Sequence, residues 1–267
     1  MRLAFDTAGP DSGPPIVLLH GLTGSRERYS RLVDWLSSRG HRVVNVDLGG
    51  HGESAWADAY RASDYAIDVV ELIETEQIGP AVIVGHSMGG TVAVTLATRR
   101  PEMVEALFLE DPALYATEED ISGAEEFMTQ VRDWQSSGAT EDEVVGVIGH
   151  WPSAHPDKTF SDLADADELA AYARALLAFD LAALEAFVRG DTFMGHEPGA
   201  RAECPVTVIR ADPALGAAFL PEHGDRYLAA VPQAQIVAVE GSGHSILGDP
   251  VGHGPYMKAL DDLLSSL

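Results

Sequence analysis

The chain has little of three things: cysteine, positive charge and long apolar runs. Its single cysteine, Cys204, excludes an internal disulfide. Only 17 Lys and Arg stand against 42 Asp and Glu, which gives a formal net charge of −25. Because phosphate contacts need basic patches, nucleic acid is not an expected partner. No apolar stretch reaches the roughly 20 residues that cross a bilayer, so no membrane anchor is expected.

The sequence also has no metal-binding spacing around its cysteine and no recognisable targeting segment. Nothing near Cys204 has the paired Cys or His spacing of a metal site. The N-terminal stretch from Met1 to Gly13 has no apolar run followed by a small-residue cleavage site. We therefore expect a cytoplasmic protein with no bound metal or cofactor. The composition neither supports nor excludes a homodimer.

What is present is enough apolar material, 46% of 267 residues, for one large core. In the first half, short β-rich runs alternate with amphipathic stretches, which is typical of βα units wound onto a parallel sheet. Strands are predicted at Ile16–Leu19, Arg42–Val46, Ala81–Val84, Val104–Leu109, Val206–Arg210 and Ile236–Val239. Helices are predicted at Asp64–Glu76 with Ser63 as its cap, Thr91–Thr98 and Tyr256–Leu264.

The pattern changes after Leu114, where strand-like runs stop and acidic, Ala-rich helical stretches continue. We expect residues 114–201 to form an inserted helical lid. Residues 1–113 and 202–267 would form an α/β core with a mostly parallel, doubly wound sheet. Trp134 and Trp151 would offer apolar surface for substrate binding, or else belong to the interior of the lid.

The candidate nucleophile is Ser87. It lies in Gly-His-Ser-Met-Gly (85–89), a G-x-S-x-G pattern between an apolar strand and a helix. A sharp turn there strains the serine backbone, and the flanking glycines relieve the crowding. Backbone N–H groups at the start of the helix would lie near an oxyanion formed on attack.

A serine hydroxyl needs a base whose pKa lies near the working pH, and histidine meets this requirement. His244 ends the turn Gly-Ser-Gly-His (241–244) after the last predicted strand, which can deliver an imidazole to the sheet edge that carries Ser87. His244 is therefore the candidate general base. We expect His20, His51 and His86 to be structural.

Four motifs, in this order, resemble those of the α/β-hydrolases. They are His20-Gly21 with Gly24 and Ser25, Asp47 to Ser54, Gly85 to Gly90, and Gly241 to His244. The resemblance covers the chain outside the expected lid. It implies the α/β-hydrolase fold, a cofactor-free Ser-His-acid triad, and an oxyanion hole made by the backbone N–H groups of Leu22 and Met88.

The acid of the triad has two candidates. In most relatives it follows the strand here predicted at Val206–Arg210, but Asp212 arrives about two residues early and Ala214 takes the usual place. Asp111 follows the strand at Val104–Leu109 and its Glu110, an arrangement similar to that of haloalkane dehalogenases and zearalenone lactonase. We favour Asp111, keep Asp212 as the alternative and place Glu110 third.

Serine as nucleophile excludes the aspartyl-ester route by which relatives open epoxides or displace halide. We therefore predict hydrolysis of a small carboxylic ester or lactone through an acyl-enzyme on Ser87. Two alternatives stay open. One is a carbon–carbon bond hydrolase acting on a dienoic diketone, since such enzymes are similar around Ser87 to Gly90. The other is a slow-turnover ligand receptor built on the same scaffold.

Overall fold

The computed structural model describes residues 2–115, 124–197 and 202–267. These residues form a seven-stranded sheet whose strands lie in the order β1-β3-β2-β4-β5-β6-β7. The strands are β1 Ala4–Ala8, β2 Pro15–Leu19, β3 Arg42–Asp47, β4 Ala81–His86, β5 Val104–Glu110, β6 Val206–Arg210 and β7 Gln235–Ala238. Only β1 runs antiparallel to its neighbour. The predicted fold class is confirmed, and β1 is an edge strand that was not predicted.

The apolar runs of the strands follow from burial on both faces of the sheet. In β2, Ile16 and Leu18 belong to one core, whereas Val17 and Leu19 belong to the core on the opposite face. All four side chains are fully buried. A parallel strand covered on both sides has no polar face, which is why it reads as a continuous apolar run.

Helices cover both faces. The face that includes Ile16 carries α1 Ser30–Ser37 and α9 His253–Ser265, and the other face carries α2 Ala62–Thr75, α3 Met88–Arg99 and α8 Pro221–Ala230. The prediction that Ser63 caps α2 is wrong. The helix begins at Ala62 with Arg61 as its N-cap, and the Asp64 carboxylate accepts a hydrogen bond from the Arg61 N–H at 3.2 Å. Ser63 therefore lies inside the first turn.

The segment between β5 and β6 contains α4 Ala124–Ser137, α5 Glu141–Ile148, α6 Ala166–Ala178 and α7 Leu181–Val188. Helices α4 to α6 build a separate small core that includes Val131, Val144 and Leu176, whereas Leu184 of α7 packs into the core of the sheet. We call residues 124–193 the helical insertion. The predicted lid boundary at residue 201 lies outside the described residues. Within the described residues, no helix is long and apolar enough to cross a membrane.

Candidate active site

Ser87 occupies a strained turn between β4 and α3. Its φ of +52° lies in the left-handed region that side chains other than glycine rarely adopt. The chain turns so tightly that a Cβ on Gly85 would lie 2.5 Å from the Gly89 carbonyl oxygen, and a Cβ on Gly89 would lie 2.2 Å from that of Leu19. The glycines of the motif are therefore required by close backbone approach.

Register places Asp111 beside Ser87. His86 and Glu110, the last residues of β4 and β5, are partners across the sheet, so Ser87 and Asp111 each lie one residue beyond a paired strand end. The Ser87 N–H donates to the Glu110 carbonyl at 3.0 Å. Both side chains thus start from the carboxyl edge of the sheet, where ligands of such folds bind.

The structure brings His244 onto Asp111. The His244 Nδ1 lies 2.6 Å from Asp111 Oδ2, and the Asp111 side chain is fully buried. Three backbone N–H groups also donate to this carboxylate, from Ala218 at 2.7 Å and from Ala211 and Phe219 at 3.2 Å each. A buried carboxylate with four donors is stabilised as an anion, and it can hold an imidazole in one tautomer.

Asp212 is used elsewhere. Its carboxylate accepts hydrogen bonds from the backbone N–H of Gly241 at 2.8 Å and of Ala214 at 2.9 Å. These two hydrogen bonds lower the pKa of Asp212, and the bond from Gly241 has the larger effect. Asp212 therefore ties the turn after β6 to the turn after β7. Between the two candidate acids, it is Asp111 that contacts the imidazole of His244.

The ring of His86 packs against the ring of His244, with centroids 4.7 Å apart. Its Nε2 lies 3.3 Å from the His244 carbonyl oxygen and donates to it. Burial lowers the pKa of His86 well below its ordinary value, and the positive charge of Arg28 adds to this effect. His86 is therefore a neutral spacer beneath the candidate base.

The loop after β2 lies directly against Ser87. A Cβ on Gly21 would come within 2.7 Å of His86 Nδ1 and 3.3 Å of the Ser87 Cβ. His20 accepts a hydrogen bond on Nε2 from the Leu48 N–H, so its Nδ1–H donates to the Gly21 carbonyl at 2.7 Å. In a planar trans peptide, C=O and N–H point in opposite directions. His20 thereby fixes the direction of the Leu22 N–H.

Met88, the second predicted oxyanion donor, is the first residue of α3. The first N–H groups of a helix have no intrahelical acceptor and are free for an anion. The predicted donors thus lie on two segments, the loop after β2 and the start of α3, that meet at Ser87.

Residues 16–252 match the sequence profile of the alpha/beta hydrolase family. The chain belongs to this family. Similar solved structures agree on the fold: a marine microorganism esterase has a TM-score of 0.75 at 20% identity, with 98% of each chain covered. A carboxylesterase of Nitrososphaera gargenis has a TM-score of 0.74 at 20% identity, covering 99% of this chain and 93% of that one. At such identities these likenesses show the fold alone.

Among curated relatives, the sn-1-specific diacylglycerol lipase ABHD11 of Xenopus tropicalis is 36% identical over 114 residues, which are 42% of this chain and 35% of the relative. The 2-(acetamidomethylene)succinate hydrolase of Mesorhizobium japonicum is 31% identical over 139 residues, 49% of this chain and 50% of the relative. The matched part thus spans between a third and a half of these relatives. The chain is therefore a member of the alpha/beta hydrolase family, and the curated proteins that match part of it include a lipase and a hydrolase.

The two predicted substrate-binding tryptophans lie in the helical insertion of this α/β-hydrolase. Trp134 is 7% exposed in the core of α4 to α6. Trp151 stacks on it with ring centroids 5.9 Å apart and is half-buried. Trp134 therefore takes the interior position that the sequence also allowed. A direct contact between Trp151 and a substrate stays a prediction.

Two contacts in this member of the family could not be predicted from the sequence. The Tyr172 hydroxyl of α6 lies 3.3 Å from the Thr23 Oγ1 in the loop after β2. His155 of the insertion bonds Asp249 through Nε2 at 2.6 Å, and the same carboxylate accepts the Gly243 N–H at 3.0 Å. Both contacts join the insertion to loops of the candidate site, and neither has a local sequence signal. Within the described residues, no group of three His, Cys, Asp or Glu side chains could hold a metal ion.

Proposed function

We propose that this α/β-hydrolase cleaves a carboxylic ester or lactone through an acyl-enzyme formed on Ser87. The observation that carries the proposal is the 2.6 Å contact between His244 and the buried Asp111, next to the strained turn of Ser87. In the proposed mechanism, Asp111 keeps the proton of His244 on Nδ1. The Nε2 is then the basic atom that takes the proton of the Ser87 hydroxyl.

Ser87 Oγ attacks the carbonyl carbon of the substrate, and the carbonyl π electrons move onto its oxygen. The Leu22 and Met88 N–H groups stabilise this oxyanion, each by several kcal/mol in preorganised sites. Collapse expels the alcohol, which takes its proton from His244 Nε2. Water then attacks the acyl-enzyme and gives a proton to His244, and His244 passes this proton to Ser87 Oγ as the acid product leaves.

The helical insertion acts as a lid in this proposal and selects the acyl or alcohol group. Trp151 would contact the substrate from above, whereas Trp134 supports it from behind. Trp151→Ala should then change KM among esters of different chain length. Trp134→Ala should mainly lower the melting temperature, because it removes buried packing. Equal KM profiles for wild type and Trp151→Ala would contradict the role in selection.

The test of the reaction uses nitrophenyl esters of two to eight carbons and simple lactones with wild type, Ser87→Ala and Ser30→Ala. Ser30 is exposed and donates only to the Glu27 carbonyl, so its variant controls for the loss of a serine hydroxyl. We expect hydrolysis to disappear in Ser87→Ala and to persist in Ser30→Ala. After treatment with a fluorophosphonate, intact-mass analysis should find an adduct on wild type and none on Ser87→Ala.

The two alternatives give other results in the same experiment. Ester hydrolysis that survives Ser87→Ala would overturn the mechanism. Labelling of Ser87 without turnover of any ester or lactone would favour the receptor, and cleavage of a dienoic diketone at higher kcat/KM than any ester would favour the carbon–carbon bond hydrolase. Cytoplasmic location and the absence of nucleic-acid and membrane partners stay predictions that cell fractionation and binding assays would test.

A further inference from the structure

Glu110, the last residue of β5, contacts the segments of both candidate catalytic residues. Its main-chain carbonyl accepts the Ser87 N–H at 3.0 Å. Its fully buried carboxylate accepts the Leu247 N–H at 2.9 Å, and Leu247 lies three residues after His244. One residue therefore links the turn that carries Ser87 to the loop that carries His244.

Arg28 completes this link. It lies in the 3₁₀ turn Arg26–Tyr29, and its Nη2 lies 2.6 Å from each Glu110 carboxylate oxygen. Its Nη1 donates to the Ser245 Oγ at 2.7 Å. The Arg28–Glu110 pair thus contacts the loop after His244 at two points. Arg28 binds the side chain of Ser245, and Glu110 binds the backbone N–H of Leu247. A charge-assisted pair with few solvent contacts holds its geometry more firmly than an exposed one.

We propose that Glu110 is a positioning residue that, together with Arg28, sets the separation between Ser87 and His244. The inference rests on the proposed function. Asp111 holds the imidazole at the single atom Nδ1, so the distance of the His244 loop from the nucleophile needs a second attachment to be fixed. The Arg28–Glu110 pair supplies this second constraint. A displacement of about 1 Å in such a site costs roughly 100-fold in rate.

The pair also enters the charge balance around His244. The imidazole is faced by the Asp111 anion from the end of β5, by neutral His86 from the end of β4, and by the Arg28–Glu110 pair beyond His86. Beyond Gly243, the Asp249 carboxylate bonds His155 of the insertion. Removing the charge of Glu110 alone leaves the Arg28 cation uncompensated, which opposes protonation of His244.

The first experiment separates geometry from charge with Glu110→Ala and Glu110→Gln. The amide of Gln keeps an acceptor for the Leu247 N–H, whereas Ala removes it. We expect kcat for an ester to fall about 100-fold in Glu110→Ala with KM within about threefold of wild type, and to fall less than about tenfold in Glu110→Gln.

Arg26→Met is the matched control. Arg26 lies two residues before Arg28 in the same turn and pairs with the buried Asp47, but its partners Asp6, Asp47 and Glu53 lie outside the His244 loop. It should lower stability without the loss in kcat. A kcat of Glu110→Ala within about threefold of wild type, or an equal loss in Arg26→Met, would overturn the proposal.

The second readout is the pH profile, which a purely structural role would not move in a set direction. Because the Arg28 cation opposes protonation of the base, the acid limb of the kcat/KM profile of Glu110→Gln should move to lower pH. Arg28→Met/Glu110→Gln removes both charges and should return the limb to the wild-type position. A limb that stays in place in Glu110→Gln would overturn the proposal.

Failure of the proposed function gives a different pattern. If wild type hydrolyses no ester or lactone, the rate of Ser87 phosphonylation replaces kcat, since it needs only the Ser87–His244 pair. The His244 ring titration by NMR needs neither substrate nor probe, and it should move in Glu110→Gln and return in the double variant. A rate of Ser87 phosphonylation in Glu110→Ala within about threefold of wild type rejects the positioning role, whatever the enzyme hydrolyses.

Discussion

The Asp111 carboxylate lies 2.6 Å from the Nδ1 of His244, and its remaining acceptor sites are filled by three backbone N–H groups. Those donors come from the loop that follows β6. The loop after β6 therefore supplies hydrogen-bond donors to Asp111, which lies directly after the neighbouring strand β5.

Asp111→Asn should lower kcat about 1,000-fold or more. The Asn carbonyl would turn to the backbone donors, and its NH₂ group would donate to His244 Nδ1. The neutral imidazole would then carry its single ring proton on Nε2 instead of Nδ1. The imidazole would then no longer accept a proton from Ser87. Steady-state kinetics with a nitrophenyl ester checks this.

Asp212→Asn is the control for that substitution, since it keeps an acceptor oxygen in the turn after β6. Its kcat should stay within about threefold of wild type, with a small loss of melting temperature. Equal mild losses in both variants would reject both carboxylates as the triad acid.

Gly21→Ala should lower kcat by about 10- to 100-fold. The added methyl would lie 2.7 Å from His86 Nδ1, and the His86 ring would have to move toward the ring of His244. Gly24→Ala, in the same loop, would meet no atom closer than 3.4 Å and should remain near wild type. Similar kinetics for the two variants would show that the loop adapts without disturbing the base.

Ser87, His244 and Asp111 could be proposed from the sequence because each lies in the turn after a predicted strand, and parallel strands present their carboxyl ends at one edge. The choice between Asp111 and Asp212 could not be made there. It depends on Ala218 and Phe219, whose N–H groups reach Asp111 across 107 and 108 positions of sequence. No local pattern encodes such a contact.

One other miss has this long-range origin, and two have local causes. Arg28 and Glu110 are 82 positions apart, and each alone looks like a surface charge in an acidic sequence. Strand β1 has a half-exposed, mixed pattern, Ala-Phe-Asp-Thr-Ala, without the apolar run that marks the inner strands. Ser63 was assigned as a cap by residue type, although Arg61 and Asp64 form the N-terminal contact.

Acid should destabilise the fold through His196. Burial lowers the pKa of His196 to about 4 from an ordinary value of 6.5. Below pH 6.5 the unfolded chain binds a proton at this residue that the folded chain refuses. Folding stability is therefore lost as the pH falls from 6.5 to about 4, by up to about 3 kcal/mol from this residue.

The Thr95 hydroxyl donates to the Thr91 carbonyl at 2.8 Å, so its Oγ1 accepts from His196 Nδ1 at 3.0 Å, and His196→Asn keeps a donor for this contact. Urea unfolding at several pH values should show a flatter decline between pH 6.5 and 4 for this variant. His150→Asn, at an exposed position, should leave the slope unchanged. An identical slope in wild type and His196→Asn would contradict the burial of a neutral imidazole.

The contact between Tyr172 of α6 and Thr23 predicts coupling between the helical insertion and the loop after β2, which carries the Leu22 N–H. Thr23 directly follows Leu22, the proposed donor, so the 3.3 Å contact restrains the loop where its geometry matters. Tyr172→Phe and Thr23→Val should each lower kcat about three- to tenfold, and the double variant should lose no more than either alone. Tyr227→Phe, which removes a buried hydroxyl from α8, should affect stability without lowering kcat. Fully additive losses in the double-mutant cycle would show that the two hydroxyls act independently, and the insertion would then not restrain the loop through this pair.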